Sequence, residues 1–185
     1  NCSVHIGTNS GYCVNGSGIV SVGYNSATRS CYGITALGSF SGYCNTADRV
    51  TTIGINSGKC NTGYGLTAVG LSAGLSNTGC NLTASGSYSA YCNTGNGVTA
   101  SGYVSAQNNI GNFLTASGYR SARFNIGDYV TASGSFSAYC NTGYSVTASG
   151  YKSAYFNTGC RLTASGYKSA YCNTAYNVTT SGWYS

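Results

Sequence analysis

The chain has 185 residues, enough for one domain or one repeat array. It holds 28 Gly and 18 Tyr, no Pro and no Met, and its charge is confined to eight Lys/Arg and two Asp/Glu. Periodic Gly and abundant aromatics exclude a disordered chain, which is normally rich in charge and poor in rings.

The net charge of +6 is spread over Arg29, Arg49, Lys59, Arg120, Arg123, Lys152, Arg161 and Lys168 without a run. A nucleic-acid binder concentrates its cations in a patch, so no nucleic-acid partner is expected. No run of apolar residues suits membrane insertion either.

A single glycine sets the register along the chain: Gly7, Gly23, Gly38, Gly54, Gly70, Gly86, Gly102, Gly118, Gly134, Gly150, Gly166 and Gly182. Every step is sixteen residues except Gly23 to Gly38, which is fifteen. Such a period is too short for helical-hairpin repeats, and Gly- and Thr-rich text disfavours helix. The expected fold is all-β: a parallel β-solenoid (β-roll) of about twelve 16-residue coils, each with two short strands and two turns. Stacked at about 4.8 Å, twelve coils make a rod of roughly 55 Å. The whole chain, 1–185, reads as one repeat domain, with irregular first coils over 1–34 and regular ones over 35–185.

In the irregular part, Ile19 and Ile34 open a column of large aliphatics, each followed by Thr from Ile34 onward. The regular coils continue it with Val50, Leu66, Leu82, Val98, Leu114, Val130, Val146, Leu162 and Val178. Small residues such as Ala84, Ala100 and Ala116 follow two positions later and share the same face, which is assigned to the inside. On the second expected strand, Cys44, Cys60, Cys92, Phe124, Cys140, Phe156 and Cys172 share parity with Thr94, Ile110, Ile126 and Thr142. That face is assigned to the other half of a thin core. Ser89, Ser105, Ser121 and Ser137, with Asn45, Asn61, Asn77, Asn93 and Asn141, read as turn residues whose polar groups bond along the stack.

Ten cysteines, without a C-x-x-C pair and with His5 as the one histidine, point to disulfides and not to zinc. Cys44 and Cys60 occupy one slot in adjacent coils, and Cys80/Cys92 and Cys160/Cys172 repeat a twelve-residue spacing. These three pairs are the candidate bridges, and they imply an oxidising, extracellular or secreted location. Four sequons, at Asn1, Asn15, Asn81 and Asn177, suit a secreted product, including a cell-surface or virion-surface fibre.

One His and two isolated acids, Asp48 and Asp128, supply neither a carboxylate pair nor a Cys–His dyad. No enzyme, no metal and no cofactor are expected. The first coil begins almost at residue 1 and the last ends at Trp183-Tyr184-Ser185, with no cap in sight. Solenoid ends expose backbone and core, so Val4 and Ile6 at one end and Trp183 and Tyr184 at the other are candidate assembly residues. They would carry a self-association of subunits head to tail.

The stretches Val4-His5-Ile6-Gly7, Val20-Ser21-Val22-Gly23, Thr35-Ala36-Leu37-Gly38 and Thr67-Ala68-Val69-Gly70 resemble the head repeats of YadA-like trimeric adhesins. That resemblance implies stacked β-rolls in surface fibres that bind matrix or cells. The later Thr-Ala-Ser-Gly units are similar to the Thr-Val-Ser-Gly repeats of the grass-type ice-binding β-roll. This second likeness implies an ice or partner face made of Thr83/Ser85, Thr99/Ser101, Thr115/Ser117, Thr131/Ser133, Thr147/Ser149 and Thr163/Ser165. Two residues along a strand span about 6.7 Å and coils repeat at about 4.8 Å, a lattice able to order water. Two expectations follow: a structural or adhesive fibre subunit that stacks into filaments and touches glycans, and, as the alternative, an ice-binding protein.

Overall fold

The computed structural model describes residues 2–30 and 32–185; Asn1 and Cys31 lie outside them. Its strands are β1 (Val4–Ile6), β2 (Val20–Val22), β3 (Ile34–Leu37), β4 (Val50–Ile53), β5 (Leu66–Val69), β6 (Leu82–Ser85), β7 (Val98–Ser101), β8 (Leu114–Ser117), β9 (Val130–Ser133), β10 (Val146–Ser149), β11 (Leu162–Ser165) and β12 (Val178–Ser181). They form one sheet in chain order, every pair parallel. From β6 to β11 each strand is an aliphatic–Thr–Ala–Ser quartet, and its β-branched residues favour the extended chain. Equivalent residues pair across coils: Thr83 with Thr99, Ser85 with Ser101. Where the period drops to fifteen, Val20 pairs with Thr35 and Val22 with Leu37. The lost residue is therefore absorbed in the loop, and Ile19 and Ile34 are both fully buried.

Among the described residues each coil has one strand, not two. The opposite wall is built from residues that alternate into the left-handed region: between Gly118 and Gly134, Arg120, Ala122, Phe124 and Tyr129 all have φ of 49–59°. Left-handed conformations of residues with a Cβ cost about 1–2 kcal/mol each. Here they turn the peptide groups along the stack. Arg120 N–H donates to Tyr103 O at 2.9 Å in the coil before, and Ala122 N–H to Ser137 O at 2.8 Å in the coil after. Phe124 N–H and Ile126 N–H do the same, to Gln107 O and Asn141 O.

This geometry overturns the expected second half of the core. A period of two holds only for extended chain, and the alternating wall points other residues inward. Ile110 (57% exposed), Ile126 and Phe156 face solvent, as do Thr94 and Thr142. The Cys44, Cys60, Cys92, Cys140 and Cys172 column lies at intermediate or exposed positions.

What fills the interior instead is small and partly polar. Val50, Leu66, Leu82, Val98, Leu114, Val130, Val146 and Leu162 are buried at 1% exposure, with Ala68, Ala84, Ala100 and their equivalents beside them. Val178, under the last strand, is only partly buried. Facing them are the buried Ser and Asn columns. From Ser26 to Ser153 each Ser hydroxyl of the column reaches across the core to a strand carbonyl, as in Ser105 Oγ to Ala116 O at 2.9 Å and Ser121 Oγ to Ala132 O at 2.9 Å. The Asn amides run along the stack, Asn109 Nδ2 donating to Asn93 Oδ1 at 2.8 Å and Asn125 Nδ2 to Asn109 Oδ1 at 2.9 Å. Each also closes its own turn, Asn109 Nδ2 to Gly111 O at 2.7 Å.

Side-chain volume is exchanged across the interior in the early coils. Thr52 stands where most coils have Ala, and a Cβ on Gly58 opposite would lie 2.3 Å from its methyl group. Ser41 Oγ bonds the Thr52 hydroxyl at 2.8 Å. Ala73 interrupts the Ser column, so Ala84 O lacks the hydroxyl donor its neighbours have. Ala73→Ser is expected to stabilise the protein by about 1 kcal/mol, the net worth of one added hydrogen bond. The check is a urea midpoint; a fall in that midpoint would show that the slot has no room for the oxygen.

Candidate functional site

Two long faces of the solenoid carry the side chains available to a partner. The first is the outward side of the sheet. In every strand from β5 to β11 burial alternates, aliphatic and Ala in, the other two residues out. Thr83/Ser85, Thr99/Ser101, Thr115/Ser117, Thr131/Ser133, Thr147/Ser149 and Thr163/Ser165 are all exposed. The pairing register sets them in two straight columns of hydroxyls. Toward β1 the same columns turn apolar, with Val4, Ile6, Val20, Ile53 and Val69 each 40% or more exposed. Ile55 and Leu71, just beyond the strands, are exposed as well and widen this apolar half.

The second face is the alternating wall. Its rings stack from coil to coil: Tyr139 on Tyr155 at 5.0 Å and Tyr155 on Tyr171 at 5.1 Å, nearly parallel, and Tyr151 on Tyr167 at 5.2 Å. Cations lie over these rings, Lys152 over Tyr151 and Tyr155 at 5.4 Å and Lys168 over Tyr167 at 5.3 Å. Stacking at ladder spacing is what parallel coils impose on equivalent aromatics, and cation–π contact adds about 0.5–1 kcal/mol at such exposed sites. Residues scattered in sequence are thereby gathered on one side. Burial pushes the Tyr155 phenol up, helped by its Tyr139 and Tyr171 neighbours. The hydrogen bond from Lys168 to the Tyr184 hydroxyl raises the ammonium.

The described cysteines are free thiols. Cys44 and Cys60 do share a slot: Cys44 N–H bonds Thr28 O and Cys60 N–H bonds Tyr43 O, equivalent links of successive coils. The other two candidate bridges do not share one. Cys80 N–H bonds Asn96 Oδ1, sixteen residues on, and Cys92 N–H bonds Leu75 O. Each thus lies over a different part of the coil. Cys160 and Cys172 repeat that offset, Asn177 N–H bonding Cys160 O and Cys172 N–H bonding Tyr155 O. Twelve residues along a sixteen-residue coil stop short of a full turn, which is why equal spacing did not mean contact.

Burial pushes the Cys140 thiol up, against a smaller downward pull from the Arg123 charge. The thiolate is the reactive form, so at about pH 8 Cys140 is expected to alkylate more slowly than the exposed Cys60 and Cys172. Peptide mass spectrometry over a time course checks this, and equal rates would refute it.

Of the sequons, Asn15, Asn81 and Asn177 are exposed, and Asn1 lies outside the described residues. At the two ends of the stack Val4 and Ile6, and Trp183 (75%) and Tyr184, are exposed. Among the described residues no helix is long and apolar enough to cross a membrane.

A single parallel sheet wound into about twelve registered coils, with ladders on both faces, defines a β-roll repeat protein. No protein family, curated protein or solved structure matches the chain.

Proposed function

We propose that the chain is a non-catalytic structural and adhesive module of an extracellular fibre. The observation that carries this reading is repetition on the surface: equivalent side chains recur in register along both faces. A surface of that kind binds by many weak, identical contacts, in which effective concentration replaces deep pockets. The uniform parallel register of the sheet supports the self-assembling part of the reading, because copies stacked in that register would repeat the contacts already made between coils. The exposed apolar patch of Ile53, Ile55, Val69 and Leu71 offers a lateral contact of the same kind.

Negative-stain electron microscopy tests it. Filaments or particles longer than one rod of roughly 55 Å are expected. Uniform single rods at high concentration would overturn the assembly.

One observation favours a second reading, ice binding: the exposed Thr and Ser columns of β6 to β11 form an uninterrupted hydroxyl lattice. On that reading the protein shapes ice crystals, and Thr131→Tyr, which breaks the lattice without touching the core, reduces the effect. Ordinary ice growth in its presence would dispose of this reading.

A further inference from the structure

In the middle of the stack both aromatic columns of the wall are interrupted over the same two coils. Down the fifth position after the repeat glycine, Tyr91 and Tyr139 are separated by Gln107 and Arg123; down the second, Tyr88 and Phe136 are separated by Val104 and Arg120. Val104 is buried and small, and its coil leaves a groove of about 240 Å³ lined by Tyr88, Tyr103, Val104, Gln107, Arg120 and Arg123.

The polar groups of this groove are not paired with one another. Arg120 Nε, Arg123 Nε and Gln107 Oε1 are buried and make no hydrogen bond. The guanidiniums are held on rings, Arg120 over Tyr119 at 5.1 Å and Phe136 at 5.7 Å, Arg123 over Phe124 at 4.4 Å. Stacking fixes the plane of a guanidinium while leaving its in-plane N–H edge to a ligand. The acids that could have neutralised them are engaged elsewhere: Asp128 accepts from Asn112 N–H at 2.6 Å and Asp48 from Tyr32 N–H at 3.1 Å. Beyond the groove the cations continue on the same line, Lys152 two coils from Arg120 and Lys168 one further, about 10 Å and 5 Å of axial rise.

We propose that this groove is an oxyanion subsite for an acidic polysaccharide lying along the solenoid axis, its sulfate or carboxylate group held by the N–H groups of Arg120 and Arg123 while Gln107 Oε1 accepts from a neighbouring sugar hydroxyl. Charge-assisted, planar hydrogen bonding of an oxyanion is what two ring-stacked arginines provide. A saccharide fits better than a nucleic acid because the ring faces are already covered. Tyr103 is stacked on Tyr119 at 5.5 Å on one side and met edge-on by Tyr88 at 6.3 Å. Base stacking needs an open face, whereas sugar hydroxyls and anionic groups need only the hydroxyl rims and the cations. The inference concerns the alternating wall and stands whether or not copies assemble into fibres.

The test is titration of the whole chain at low ionic strength with dextran sulfate, neutral dextran and a single-stranded dT oligonucleotide. Dextran sulfate is expected to bind, neutral dextran not to bind, and the oligonucleotide to bind at least about tenfold more weakly. Arg120→Gln with Arg123→Gln is expected to weaken dextran sulfate about tenfold or more. Arg49→Gln with Arg161→Gln removes the same charge outside the groove and is expected to change binding less than about twofold. Should the first pair unfold by circular dichroism, Gln107→Leu, which alters no charge, is expected to weaken binding about threefold. Equal losses in the two double variants, an unaffected Gln107→Leu, tighter binding of the oligonucleotide, or no dextran sulfate binding would each overturn the proposal.

Discussion

Asn109→Ala is expected to lower the stability of the protein by about 4 kcal/mol, far more than a polar-to-Ala change on a surface. Asn109 lies at the middle of the buried amide ladder. Its Nδ2 donates to Asn93 Oδ1 at 2.8 Å and to Gly111 O at 2.7 Å, and its Oδ1 accepts from Asn125 Nδ2 at 2.9 Å. Truncation strands two buried acceptors and one donor hydrogen, and each orphaned buried group costs about 1–3 kcal/mol. Asn93, Asn109 and Asn125 are all fully buried, so bulk solvent does not reach the groups left behind.

The control is Asn96→Ala. Asn96 makes the same kind of link, Nδ2 to Asn112 Oδ1 at 3.1 Å, but at an exposed position. Water replaces what is lost there, and the change is expected to stay below about 1 kcal/mol. Urea unfolding followed by circular dichroism compares the two. A solenoid is held by nearest-neighbour interfaces, so the Asn109 variant is also expected to unfold in two steps as the coils on either side uncouple. If both variants shift the midpoint equally, the ladder contributes no more inside than outside.

The buried Asn and Ser columns also mark where the sequence was legible and where it was not. The sixteen-residue rhythm and the Val/Leu column identify a stacked parallel sheet, and the strands that carry Val50 to Leu162 do bury that column. Hydropathy misplaces the opposite wall, because its large apolar residues are not core. Phe124, Ile126 and Phe156 are large and apolar yet exposed, while Ser121, Asn125 and Asn157 are polar and buried. Alternating left-handed residues have no binary hydropathy signature, since Arg120, Ala122 and Phe124 all adopt φ near +50°.

The variability of each column was the available signal. The sixth position after the repeat glycine changes from Cys13 to Arg29, Ser76, Asn108 and Phe124, as an exposed position can. The seventh is Asn in every coil from Asn45 to Asn173. The groove was invisible for a related reason. Arg120 and Arg123 form no run in sequence, and only the coil brings them beside Gln107, one turn earlier.

The repeat glycine is constrained both by its backbone conformation and by the next coil, and two substitutions separate these two causes. Gly118 has φ +125° and Gly182 has φ +117°, both in a region that side chains rarely enter. A Cβ on Gly118 would lie 2.7 Å from Gly134 O, a backbone atom of the next coil that cannot turn aside; a Cβ on Gly182 would meet nothing within 4 Å. Gly182→Ala therefore reports conformational strain alone, expected at about 1–3 kcal/mol. Gly118→Ala adds the clash in the middle of the stack, where relief means prising two coils apart and stretching the bond from Gly134 N–H to Ser117 O, 2.8 Å long. Its total is expected to reach about 5 kcal/mol, close to the whole stability of many domains, so the variant should be largely unfolded. Thermal melts of the two proteins decide the matter. A Gly118→Ala chain that melts no earlier than Gly182→Ala would mean that the coils are not in the close contact on which their stacking depends.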